Sequence, residues 1–304
     1  MSVPAAAVPI RRALPVLALS FNALVWGLSW WPLRQFERLG LHPLWTTLIV
    51  YLLSVGVIVM FRPQAVGQLL RTPALWVLVL AAGTTNASFN WGVVVGDVVR
   101  VVLLFYLMPL WTVLLARWLL DEPLTRAAGT RVLLALAGAM LVLWPQGPVG
   151  WGNLPIPRSL PDWLGVVGGF SFALNNVMLR REAHRPEEGR ALAMFFGGAM
   201  VSGLLAVVLS AQGMMPWVPA PGWTWLAGAM LLSVSFLFGN LALQYGAARL
   251  PANVTSVVML TEVVFASASA LVLGGGTLTT PILTGGMLIV LAALLSAFEP
   301  APSR

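Results

Sequence analysis

Residues 254–273 read VTSVVMLTEVVFASASALVL, and Glu262 is the one charged side chain among them. A carboxylate at the centre of such an apolar helix costs roughly 3 kcal/mol to place in lipid, so Glu262 must face something other than hydrocarbon. Other apolar stretches carry polar side chains in pairs. Asn86 and Asn90, Asn240 and Gln244, Ser171 and Asn175, and Asn22 with Trp26 are each four residues apart. That spacing puts both members of a pair on one helix face. Groups of this kind trade hydrogen bonds with a solute or with one another; none is equipped to break a covalent bond. For any single asparagine two readings stand side by side: the wall of a cavity, or interhelical glue worth about 0.6 kcal/mol. As a set, at least one of them is expected to touch a solute.

Aromatic side chains join the amides. Trp26, Trp91, Phe105, Tyr106 and Trp111 lie deep in apolar runs, and Pro109 sits beside the last three. An aromatic solute would be matched by such rings at about 4.5–7 Å, edge-on or offset. Pro109 removes one backbone donor and bends its helix, as a moving part or as a static kink. Trp30, Trp31, Trp45, Trp144, Trp151, Trp163, Trp217, Trp223 and Trp225 fall near the ends of apolar runs and read as interfacial anchors. His42 and His184 lie in loops with no ligand-spaced partners, and the chain has no cysteine. No metal site is therefore expected. A phosphate-binding loop, a Gly-x-Ser-x-Gly elbow and an Asp/His cluster are all missing from the sequence. Catalysis, ATP-driven work and a bound cofactor all lack their residues, so the chain is not expected to be an enzyme.

The elements that must position these side chains are set by composition. Hydrophobic residues make up 59% of the 304-residue chain and charged residues 9%, with a mean hydropathy of +0.89. A soluble domain carries about 25% charged residues, and so few charges could not cover a soluble surface. The apolar residues come in runs of about 20, the length that crosses a bilayer as a helix. Ten spans are expected, near 14–33, 43–61, 74–95, 99–120, 128–145, 162–180, 191–211, 223–245, 252–273 and 282–298. The reading is an all-α polytopic membrane protein whose main partner is the lipid bilayer. The basic stretch with Arg11 and Arg12 before the first run resembles a signal sequence, yet no small-residue cleavage site follows. It reads as a retained first span with a cytoplasmic anchor.

All seventeen basic residues are arginine, and the net charge of +7 is spread between the apolar runs. That placement is a topology signal, not a nucleic-acid-binding stripe. With the N-terminus inside, only Arg34, Arg38, Arg100 and Arg158 fall outside, and the other thirteen lie inside. Both termini are therefore expected in the cytoplasm of a bacterium, with the chain in its inner membrane.

The longest loop is the Pro/Gly-rich PQGPVGWGNLPIPRSLPDW at 145–163. It separates a first unit of five spans, 1–147, from a second, 162–304, through a linker at 148–161. The two units share a pattern. FNWGVVVG (89–96) followed by YLMPLWTVLLARWLLDEPLT (106–125) parallels GNLALQYG (239–246) followed by MLTEVVFASASALVLGGGTLT (259–279). In that alignment Asn90 pairs with Asn240, Gly96 with Gly246, Met108 with Glu262 and Pro109 with Val263. Five spans is an odd number, so the second copy enters the membrane inverted. Inverted repeats around a midplane cavity are characteristic of secondary transporters.

These features resemble the EamA-type ten-span exporters of the drug/metabolite transporter superfamily, most closely the YddG-like aromatic amino-acid exporters. The strongest stretch is GDVVRVVLLFYLMPLWTVLLARWLLDEPLT (96–125), where a span with a mid-helix proline ends in an acidic-x-Leu-Thr turn. The resemblance implies a basket of ten helices lined by spans 1, 3, 4, 6, 8 and 9, with 2 and 7 flanking and 5 and 10 peripheral. It also implies alternating access and export of small molecules. Two departures stand out: Glu262 is followed by Val263 where the family often has proline, and GGGTLT lacks the acid that Glu122 supplies in the first unit.

The expected cavity is formed by Asn22, Trp26, Asn86, Asn90, Tyr106, Trp111, Ser171, Asn175, Asn240, Gln244 and Glu262, with Pro109 as gate or hinge. Amides, rings and one acid suit neutral or zwitterionic metabolites, foremost aromatic and other apolar amino acids. They do not suit phosphorylated cargo, which wants arginine clamps. Lipophilic cations or drugs are the alternative cargo, drawn by Glu262 and by cation–π faces. Glu262 itself is read as an amine receptor, a titrating group or a structural hydrogen-bonder, and Arg100 beside Asp97 as a carboxylate binder or a paired mouth residue. The protein works as a monomer or homodimer on this reading.

Overall fold

The structure is a computed structural model and describes residues 8–121, 126–144, 156–220, 222–247, 258–259 and 261–297. Among them the chain is helical and contains no strand. The helices are α1 (Val8–Arg38), α2 (Pro43–Phe61), α3 (Gln64–Arg71), α4 (Pro73–Val95), α5 (Val98–Phe105), α6 (Met108–Leu119), α7 (Arg126–Val142), α8 (Leu160–Arg181), α9 (Glu187–Ala211), α10 (Trp223–Ala247), α11 (Thr261–Val272) and α12 (Thr280–Ala297). Among the described residues, six segments are long and apolar enough to cross a membrane: Leu14–Arg38, Pro43–Phe61, Pro73–Val95, Val98–Leu119, Glu187–Ala211 and Trp225–Leu243. Leu52, Leu204, Met230, Leu231 and Phe238 are all about half exposed or more on the outside of these helices. Lipid can cover such a surface, whereas water would leave a large unpartnered apolar patch.

The span expected at 99–120 is not one continuous helix. Tyr106 and Leu107 form a turn between α5 and α6, and Pro109 enters in the first turn of α6. Pro109 has no N–H, so the carbonyl four residues earlier, that of Phe105, loses its helical donor. Helix α8 closes over this point through glycine: a Cβ on Gly169 would lie 2.4 Å from the Phe105 carbonyl oxygen. Gly165, one turn earlier, meets Leu104 and Val101 in the same way. A short amphipathic helix, α3, also falls between two expected spans, with Ala65 and Leu69 buried and Leu70 exposed.

Helix α4 is the most enclosed of these candidate spans and packs on both α8 and α9. Its crossing with α9 is a backbone contact. A Cβ on Gly197 would sit 2.1 Å from the Val79 carbonyl oxygen, and one on Gly83 would sit 2.4 Å from the Gly197 carbonyl oxygen. Small residues let membrane helices approach this closely and gain dispersion contacts that lipid does not supply. Around this centre α1 packs on α10 and α11, α8 packs on α4, α5 and α6, α2 meets α9, and α7 meets α12.

One end of the bundle is tied by charge. Arg100 on α5 grips Asp162 on α8 with both ends of its guanidinium, at 2.6 and 3.2 Å, and donates to the Val142 carbonyl at 2.6 Å. Asp97 caps α5 through the Arg100 N–H and accepts from the Thr277 N–H at 2.7 Å. Arg34 on α1 donates to the carbonyls of Val93 and Gly96, at 3.1 and 2.5 Å. Arg100 is thus a paired residue, and a bidentate one, the strong form of such a bond. Trp30 and Trp45, expected as interfacial anchors, are buried instead. Their indole N–H groups donate across helices to Ser269 Oγ at 2.9 Å and to the Pro216 carbonyl at 3.2 Å.

Three outcomes follow for purified protein in detergent. Gly197→Leu should cost about 1–3 kcal/mol, the usual penalty of overpacking. Gly56→Ala, whose Cβ meets nothing within 4 Å, should leave the melting temperature unchanged or raise it. Asp162→Asn should cost about 1–3 kcal/mol, and Arg100→Gln should add little to it in the double variant. The loop histidine, His42, caps α2 by accepting the Leu44 N–H at 3.2 Å and packs edge-on against Trp91. Burial lowers its pKa below 6.5, so the unfolded chain takes up the proton first and stability falls as pH drops through 6.5 and below. His42→Asn keeps a capping acceptor without that titration. Its melting temperature should fall less than the wild type's between pH 7.5 and 5; an equal fall would rule His42 out.

Candidate functional site

A cavity lies between the helices, with about 110 Å³ open to the centres of water molecules. A single water needs roughly 10–15 Å³ by that measure, so the space holds several waters or a small solute. Helices α1, α2, α4, α5, α8, α9 and α10 line it, together with Met259 and Glu262 at the start of α11; α7 and α12 contribute nothing among the described residues. Two groups of rings form most of the wall. Trp26 stacks on Phe236 with centroids 4.6 Å apart, and Tyr51 bridges Phe236 to Phe195 at 5.9 and 5.5 Å. On the other side Phe105 contacts Phe89 at 5.0 Å and Phe172 at 5.2 Å. Glycine seats these rings as well: a Cβ on Gly198 would fall 2.2 Å from the Tyr51 ring.

Of the residues expected from sequence, Asn22, Trp26, Asn86, Asn175, Asn240 and Glu262 all line this cavity. Tyr106 stands behind it, at the α5–α6 break, and donates its hydroxyl to Glu262 at 3.1 Å. Three expected cavity residues lie elsewhere. Asn90 is fully buried and donates to Thr47 Oγ1 at 3.0 Å, tying α4 to α2. Trp111 packs edge-on against Phe170 at 5.5 Å. Ser171 is buried off the lining. For Asn90 and Ser171, helix rotation decided the matter: i and i+4 diverge by about 40°, so one member of a pair can point into a helix contact while the other lines the cavity. The side chains of Gln244 and Pro109 lie outside the described residues.

The amides in the wall differ in what they have left to offer. Asn86 is engaged at both ends: its nitrogen donates to the Ala82 carbonyl at 2.7 Å and its oxygen accepts the Tyr51 hydroxyl at 2.5 Å. Asn22 donates to the Gly239 carbonyl at 2.8 Å, while its Oδ1 meets no partner. Asn175 donates to Asn176 at 3.4 Å, and its Oδ1 is also unpartnered. Both asparagines are essentially fully buried. Glu262 sits in the first turn of α11 against α1, where Gly27 leaves room for the Glu262 carbonyl.

Sequence reasoning missed Tyr51, Phe89, Phe172, Phe195 and Phe236. Phe89, at i−1 from Asn90, and Phe172, at i+1 from Ser171, flank residues that were singled out. Phe236, four residues before Asn240, and Tyr51, four after Thr47, did have polar partners at helical spacing that could have marked them; Phe195 had none. The expectation that spans 2 and 7 only flank the cavity is also corrected, because Tyr51 on α2 and Met194 and Phe195 on α9 line it.

No curated protein matches the chain. Fourteen chains of solved structures are similar to it. One of these, a crystal structure of a protein, covers 94% of this chain and 96% of its own, with 21% identity and a TM-score of 0.57. That likeness establishes the fold alone. Residues 13–144, a stretch that includes α2, α4, α5 and α6, match the model of the EamA-like transporter family.

Proposed function

We propose that the chain is a secondary exporter of small apolar metabolites that carry an amino group, aromatic and other apolar amino acids foremost. It works by alternating access of the ring-lined cavity. The observation that carries this reading is the wall itself: aromatic rings in two groups, four asparagines and one acid, with no arginine or histidine among the described lining residues. The match of residues 13–144 to a transporter family supports transport rather than catalysis.

Ten spans in two inverted units of five remain our reading of the architecture. The helix contacts support it: exchanging the units maps the packing of α1 on α10 and α11 onto that of α8 on α4, α5 and α6. On our reading the protein sits in a bacterial inner membrane, and the arginine distribution supports cytoplasmic termini. The Arg34, Asp97, Arg100 and Asp162 network then lies at the outer end, and it fits a cavity closed on that side. The Tyr106–Leu107 break is the bending point in this reading, and Pro109 keeps it from healing into a continuous helix.

A second reading, efflux of lipophilic cations, is favoured by the same rings around a carboxylate. Liposomes separate the two. Vesicles with reconstituted protein, preloaded with labelled Phe or Trp, should lose label faster than protein-free vesicles, and unlabelled amino acid outside should accelerate the loss. Equal rates with and without protein would end the amino-acid reading. Faster loss of a labelled lipophilic cation in its place would establish the second.

A further inference from the structure

The cavity's hydrogen-bonding capacity is lopsided, and the imbalance says which part of a ligand is read. The side-chain donor groups of Asn22, Asn86, Asn175, Thr85, Tyr51 and Tyr106 each already bond a protein acceptor, and each asparagine keeps one further N–H. The acceptors are not used up in the same way. Asn22 Oδ1 and Asn175 Oδ1, on two residues of the cavity wall, are buried and meet no partner. A buried acceptor left unpaired is a standing cost of the empty cavity, and a ligand that supplies its donor removes it. The orientation of Asn22 is not arbitrary: only its NH2 can bond the Gly239 carbonyl, so its oxygen is the atom presented. Glu262 adds a carboxylate, one of whose oxygens accepts the Tyr106 hydroxyl.

Three kinds of polar head group can be weighed against this wall. A carboxylate brings acceptors only, and the described lining offers it no cation, only the second N–H of amides that already donate, and the like charge of Glu262. A quaternary ammonium brings charge but no N–H, so it leaves both asparagine oxygens unpaired. A primary ammonium brings positive charge and three donors, matching Glu262 and the two orphaned oxygens, while an aryl group fits the rings. We infer that the cavity selects primary amines with an apolar, foremost aromatic, body, with Asn22, Asn175 and Glu262 as the acceptors of the ammonium. The carboxylate of an amino acid adds nothing to its binding here. This inference rests on the transporter reading only for its setting, since it concerns binding.

Isothermal titration of the full-length protein in detergent tests it with phenethylamine, its N,N,N-trimethyl derivative, phenylalanine and 3-phenylpropionate. Phenethylamine should bind at least as tightly as phenylalanine and at least fivefold more tightly than the trimethyl derivative and 3-phenylpropionate. Glu262→Gln and Asn175→Leu, each checked for an unchanged melting temperature, should weaken phenethylamine at least fivefold and leave the trimethyl derivative less affected. Less than fivefold discrimination against the trimethyl derivative would overturn the inference in favour of a plain cation–π box. Comparable binding of 3-phenylpropionate would overturn it too, and so would no binding by any probe, which would leave the orphaned oxygens to water. None of these results touches the transporter reading, which fails only if the reconstituted protein moves no solute across the vesicle membrane.

Discussion

The close crossing of α4 with α8 and α9 is the constraint on which the rest of the structure depends. A helix in lipid satisfies its own backbone, so two helices gain from contact only through packing and the occasional side-chain bond. Gly83 and Gly197 bring α4 and α9 to backbone distance, and Gly92 and Gly96 let the end of α4 reach Leu164 and Pro161 of α8. With the partners held this close, the residues beyond the crossing cannot also touch. The cavity opens where the side chains grow from glycine to Phe89, Phe105, Phe172 and Phe195. Small residues set the scaffold and large ones line the gap that it leaves.

The same logic explains why the broken span is stable. A proline in a membrane helix exposes a carbonyl that hydrocarbon cannot satisfy, and such a fault is tolerated only against protein or a polar cavity. At the α5–α6 break the Phe105 carbonyl faces the bare Gly169 backbone, and the neighbouring Tyr106 turns its hydroxyl onto Glu262. In the repeat proposed above Glu262 aligns with Met108, and on that reading the two units meet at this bond instead of copying one another. The acid therefore has a structural partner as well as a place in the cavity wall, and the two roles are compatible because a carboxylate accepts several bonds.

Much of the arrangement was legible in residue order. An apolar composition with runs near 20 residues points to membrane helices because only a hydrocarbon solvent tolerates them. Polar residues inside such runs point inward for the same reason, and six of the eleven residues expected around the cavity do line it: Asn22, Trp26, Asn86, Asn175, Asn240 and Glu262. The glycine pairs at 92 and 96 and at 165 and 169 mark real helix contacts. Less legible were the roles of the aromatic residues. Trp30 and Trp45 lie near helix ends, yet neighbouring helices cover them. Phe236 and Phe195 look like ordinary lipid-facing or packing residues until α2 and α10 bring them against Tyr51.

By itself, then, the sequence determined which solvent the chain folds in, which segments are helical and which few polar atoms must be shielded from lipid. Those follow from transfer free energies of single residues, which do not depend on neighbours. Tertiary structure alone decided which polar atoms are spent and which are left over. Asn86, Asn90 and Asn22 look alike in sequence, but Asn86 is engaged at both its nitrogen and its oxygen, by Ala82 and Tyr51. Asn90 and Asn22 each donate once and keep an unpartnered oxygen, yet only Asn22 belongs to the cavity wall. Hydrogen bonds are pairwise and directional, so the chemistry left for a ligand is a remainder that exists only once every helix has found its partners.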